Sequence, residues 1–107
     1  MNRPPGSTGE PTRDHSFTRE LGLTHGEFYG SLPPAIAHRP FAVDDHRIRI
    51  EDGDRNVTIE LGPQRYRAIA SLKVPYLEVR FTFAGFTAPE RDEFMTRFER
   101  YFQRGGG

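Results

Sequence analysis

No cysteine occurs among the 107 residues, which excludes disulfides, thiolate catalysis and cysteine-ligated zinc, iron or copper. Histidine and carboxylates remain as the strong metal ligands. Net charge is also missing: 15 basic and 15 acidic side chains cancel, so no global field concentrates the chain on nucleic acid or anionic lipid. Any electrostatic function has to come from a local patch. An apolar run of about 18 residues that could span a bilayer is absent, and Met1 to Arg13 lacks the apolar centre of a secretory signal. A soluble, cytoplasmic protein with no membrane partner is the expectation.

Motifs that carry chemistry are equally scarce. Gly22, Gly26 and Gly30 recur every four residues, which is not the spacing of a phosphate-binding loop, and no strand pattern precedes them. Ser7, Ser16, Ser31 and Ser71 do not lie in a nucleophile-elbow sequence. Asp52-Gly53-Asp54 begins like a calcium loop but lacks the later ligands and closing Glu, so it reads as a turn. The paired carboxylates Asp44–Asp45 and Glu51–Asp52 sit at strand ends, where solvated turn charge explains them. The histidines at 15, 25, 38 and 46 are scattered without metal-motif spacing, His46 beside Asp44 and Asp45 being the best candidate for a metal or a proton shuttle. No cofactor, metal site or catalytic set is assigned.

What the chain does contain is an uninterrupted run of secondary-structure signals from His46 to Arg104. A chain of this length holds one ordinary domain. Residues 1–15, rich in Pro and Gly and without a large apolar side chain, read as a disordered tail; 16–104 read as one domain and 105–107 as a flexible glycine tail. Thr24 and Glu27 form a capping-box pattern for a short helix that Pro33 and Pro34 should end at or before Leu32. Ile48 and Ile50 alternate with arginines, and Val57, Ile59 and Leu61 with polar residues, around an Asp52–Arg55 turn. With Gly53 and Asp54 as the loop, Ile50 faces Val57 and Arg47 faces Glu60.

A further turn at Gly62–Arg65 then sets Glu60 opposite Arg67 and turns Tyr66, Ala68, Ala70 and Leu72 inward. Val74-Pro75 breaks the pattern, and Leu77, Val79, Phe81 and Phe83 form the inward face of a fourth strand, pairing Ala70 with Val79 and Ala68 with Phe81. Thr87-Ala88-Pro89-Glu90 caps a final helix with Phe94, Phe98, Tyr101 and Phe102 on one stripe and arginines toward its end. The expected fold is α+β: a short N-terminal helix, a four-stranded antiparallel meander, and a C-terminal amphipathic helix packed on one sheet face.

The other sheet face is the candidate site. Arg47, Arg49, Arg67 and Arg80 are the orienting charges and Ile69 an apolar contact, interleaved with Glu51, Glu60 and Glu78. Such a self-neutralising face, lacking a stacking platform of aromatics, suits a protein partner better than single-stranded nucleic acid. Nine Phe and four Tyr exceed what a small sheet-and-helix core needs, which points to a partner surface or an apolar cleft. The chain therefore reads as a small non-enzymatic protein-binding or adaptor domain. Nucleic-acid binding through the same face is the alternative, and edge strands of an open sheet also allow a homodimer.

Overall fold

A computed structural model describes residues 14–106, with six strands and two helices. The expectations for residues 1–13 and 107 lie outside the described residues. The antiparallel sheet comprises β1 (His15–Leu21), β2 (Phe41–Asp44), β3 (Arg47–Asp52), β4 (Arg55–Leu61), β5 (Arg65–Ile69) and β6 (Leu72–Ala84), flanked by helices α1 (His25–Ala35) and α2 (Ala88–Gly106). Across the sheet the order is β1-β6-β4-β3-β2, with β5 paired to β6 off this path.

Both capping boxes form. The Thr24 side chain accepts from the Glu27 amide while the Thr24 amide donates to Glu27, and Thr87 and Glu90 do the same for α2. Helix α1 continues past the expected stop, carrying Pro33 and Pro34 inside it. Burial explains the overrun: Leu32, Ala35 and Ile36 are all sealed in the core, and the last carbonyls are recovered by the amides of Ile36, Ala37 and His38. In α2 the expected stripe is buried through Phe94, Met95, Phe98 and Phe102, with Tyr101 half-buried beside it.

The β3–β4 hairpin has the register read from its alternation, Ile50 against Val57, Ile48 against Ile59 and Arg47 against Glu60. Beyond Leu61 the four-stranded meander gives way to a different arrangement. Strand β6 is 13 residues long and pairs with β4 through residues 79–84, with β5 through residues 72–76, and with β1 along its other edge. Strands β4 and β5 are thus two segments of one partner strand. The paired residue numbers sum to 140 along β4 and to 141 along β5, a one-residue offset absorbed at Gly62, whose amide donates to the Glu78 carbonyl at 2.8 Å.

Several expected pairings are corrected accordingly. Glu60 lies opposite Arg80, Ala68 opposite Lys73, and Ala70 sits in the two-residue β5–β6 turn with φ 56°. Leu72, Tyr66, Ala68 and Ala70 are exposed and contribute nothing to the core. Pro75 does not interrupt β6: it pairs with Tyr66 of β5 on one side, and on the other it lies beyond the last β1 pair, Leu21 with Leu77. A residue whose polar groups face an empty edge loses no ladder bond when it lacks an amide hydrogen. Its peptide bond is trans, as are all those described.

Strand β1 was not expected. Its alternation is weak because Arg19 occupies an inward position, where its guanidinium lies 4.6 Å from the Phe17 ring centre and its Nε meets Glu99 of α2 at 3.4 Å. Phe17 stacks on Phe81, centroids 5.3 Å apart, and Phe81 meets Phe98 edge-on at 5.0 Å. One apolar cluster joins both helices to the inward side of β1, β3, β4 and β6. Both helices therefore cover the same face, and among the described residues the opposite face is bare.

Candidate functional site

Strand alternation fixes the composition of the bare face. Since Leu77, Val79, Phe81 and Phe83 are buried, Glu78, Arg80 and Thr82 point away from the helices. Following the registers outward gives two rows across the sheet. The first runs Asp44, Arg47, Glu60, Arg80, Thr18, and the second Ala42, Arg49, Thr58, Thr82, Ser16. One row alternates in charge through its centre; the other is a strip of small side chains around Arg49, in which the Ser16 and Thr82 hydroxyls meet at 2.9 Å.

Carboxylates hold most of the arginines. Arg47 Nη2 donates to Glu60 Oε2 at 2.9 Å and Arg49 Nε to Glu51 Oε2 at 2.8 Å. Arg67 Nη2 reaches Glu20 Oε2 at 2.7 Å and lies 4.0 Å from the Tyr76 ring centre. Arg80 forms no ion pair among the described residues and is exposed between Glu60 and Thr18. Exposed pairs of this kind contribute little to stability, typically below about 1 kcal/mol, so the face stays free to exchange them for a partner's charges.

The structure brings Arg47, Arg49 and Arg80 together on the five-strand path and moves the other two expected residues off it. Arg67 and Ile69 belong to the β5–β6 hairpin, which extends beyond the end of β1 and β4. This hairpin escaped sequence reasoning because its turn, Ala70-Ser71, has neither Gly nor Asn at the positive-φ position. The available signal was charge: from Leu61 to Leu77 the chain carries Arg65, Arg67 and Lys73 and no acid. Tyr66, Ile69 and Leu72 are each more than half exposed on it.

A second cluster gathers where α1 starts. His25 and His46 stack with ring centres 4.2 Å apart; His25 Nε2 donates to the Gly62 carbonyl at 2.8 Å, and His46 Nδ1 bonds the Tyr29 hydroxyl at 3.0 Å. Burial pushes the Tyr29 phenol up, keeping it protonated. Imidazole lone pairs lie in the ring plane, so two stacked rings do not converge on one ion, and among the described residues no group of three or more His, Asp or Glu is arranged to hold a metal. These contacts pin the helix start to the β2–β3 turn and to the β4–β5 junction.

Two of the grooves that border α2 carry arginines. One, of about 340 Å³, lies between β1 and α2 over Phe81, Met95 and Phe98 with the Arg19–Glu99 pair at its rim. The other, of about 560 Å³, is lined by Arg39, Arg55, Arg97 and Arg100 with Glu90 and Glu93. Three of its four arginines have partners: Arg55 bridges Asp52 and Glu90, Arg39 caps the Ile36 carbonyl, and Arg97 donates to the Pro34 carbonyl. They fasten α2 to the end of α1 and the β3–β4 turn.

No helix among the described residues is long and apolar enough to cross a membrane. Comparison with protein-family models, curated proteins and solved structures found no match.

Proposed function

We propose that this chain is a small, non-enzymatic binding or adaptor domain acting in the cytoplasm, and that another protein docks on its bare sheet face around Arg47, Arg49 and Arg80. The observation that carries this reading is the placement of both helices on one side, which among the described residues leaves the charge row and the strip of Ala42, Thr58, Thr82 and Ser16 uncovered. Small side chains admit close approach, and alternating charges give a partner register and orientation rather than bulk attraction. Nucleic acid is the second reading. It draws on the same arginines, yet Arg47, Arg49 and Arg67 are already bridged by carboxylates, which would have to be displaced before phosphate could be held.

The absence of native cysteine makes a direct test simple. A photo-crosslinker attached to Thr58→Cys, at the centre of the face, should form a discrete protein adduct in lysate. The same probe on Asp92→Cys, on the exposed side of α2, should not. Equal labelling from both positions, or adducts with nucleic acid alone, would remove the proposal.

A further inference from the structure

The exposed large hydrophobic residues among those described are Phe41, Val43, Tyr66, Ile69 and Leu72, and they fall on two places only: edge strand β2 and the β5–β6 hairpin. These two places border one corner of the molecule. The β2–β3 turn lies at the end of the sheet from which the hairpin departs, since the His46 carbonyl accepts from the Leu61 amide at 3.0 Å and the chain leaves β4 at the next residue. One side of the corner is the turn; the other is β5, which pairs with β6 and has, among the described residues, no strand on its second edge.

Their charges are opposite. The hairpin carries Arg65, Arg67 and Lys73, whereas the turn carries Asp44 and Asp45. Arg67 is held by Glu20, but Arg65, Lys73, Asp44 and Asp45 enter no ion pair among the described residues. Each apolar patch is thus flanked by free charge of the sign that the other patch lacks. The two edges of the hairpin also differ: Pro75 lies on the β6 edge and offers no amide hydrogen, while the β5 edge contains no proline. Strand addition is therefore open on the side that faces the corner and hindered on the other.

We propose that a second copy of this chain fills the corner. The copies form a two-fold dimer in which the β5 edges run antiparallel to one another and each hairpin tip lies against the partner's β2–β3 turn. A two-fold axis repeats the hairpin-to-turn contact, so both apolar patches of both copies are covered and the assembly closes instead of growing into a fibre. The cationic hairpin then faces the partner's Asp44 and Asp45. Of the bare sheet face only Asp44, at the edge of its charge row, takes part in this contact, and the dimer stands independently of what binds around Arg47, Arg49 and Arg80.

Sedimentation velocity of the full chain across a concentration series, at low and at 0.5 M salt, provides the test. The expected species is a dimer of twice 12.3 kDa that weakens with salt. Leu72→Asp should raise its dissociation constant at least tenfold without altering the monomer's circular dichroism, since Leu72 is 65% exposed. Lys73→Asp and Asp45→Lys should each weaken it, and the two together in one chain should restore it, because the swap exchanges both ends of the same contact. A monomer at every concentration, a dimer indifferent to these changes, or a double variant no tighter than the singles would overturn the proposal. So would a monomer that binds anionic vesicles or nucleic acid through Leu72.

Discussion

Truncating Phe81 probes the arrangement on which the site depends, because β6 is the strand that joins β1, β4 and the hairpin. Phe81 is fully buried, stacked on Phe17 and Phe83 and edge-on to Phe98, so Phe81→Ala removes its transfer free energy, three aromatic contacts and the filling of its space. Phe→Ala changes in well-packed cores cost about 3–5 kcal/mol. Ile59 lies directly across from Phe81 and Val79 beside it, and these packed side chains can fill only part of the space, so the cost should fall near the middle, about 4 kcal/mol. For a domain of this size each kcal/mol moves Tm by about 4–8 °C, which gives a fall of roughly 15–30 °C. Total stabilities are about 5–15 kcal/mol, so the variant should remain marginally folded. Its neighbour Arg80 points to the bare face, and Arg80→Ala should stay within about 0.5 kcal/mol of the parent. Thermal and denaturant melts by circular dichroism would measure both. Equal losses from the two variants, or a Phe81→Ala loss below about 1 kcal/mol, would refute the assignment of faces.

Other substitutions test separate features. Ala70→Phe should avoid the overpacking cost of about 1–3 kcal/mol that a core position would incur, because Ala70 lies in an exposed turn; a melting curve shifted by that amount would restore the meander. Gly85→Ala should destabilise by about 1–3 kcal/mol in denaturant titrations, since Gly85 has φ 84° and an added methyl would sit 3.0 Å from Arg55 Cβ, and a neutral result would count against that conformation. Glu90 has its pKa lowered, first by the Thr87 backbone hydrogen bond, against an opposing desolvation, and then by Arg55. A depressed carboxylate adds stability that is present above the ordinary Glu range and is lost as pH falls through its lower folded value, so Glu90→Gln should flatten the acid limb of stability. An acid limb identical in parent and variant would contradict this.

Local signals were legible where the chain states them twice. Thr24 with Glu27 and Thr87 with Glu90 specify both helix starts by reciprocal hydrogen bonds, and the β3–β4 register follows from matching apolar and charged pairs around Gly53-Asp54. Long-range pairing was not. The segment Tyr66–Leu72 alternates as a core strand would, but it pairs with β6 beyond the ends of β1 and β4, where its side chains are exposed. Pro75 read as a break because a sequence does not show that its strand edge is empty. Strand β1 was hidden because its inward Arg19 lays its guanidinium over the Phe17 ring, putting a charged residue where the alternation calls for an apolar one. Of the candidate site, Arg47, Arg49 and Arg80 lie on the face assigned to them, whereas Arg67 and Ile69 depend on where β5 pairs.

The most direct test of the central claim is capture from lysate, after nuclease treatment, by the parent chain and by an Arg49→Glu/Arg80→Glu variant with an unchanged melting curve. The account expects the parent to retain a stoichiometric protein partner that the variant loses. Equal retention by both would contradict docking on the bare sheet face, and loss of the captured material on nuclease treatment would contradict a protein partner.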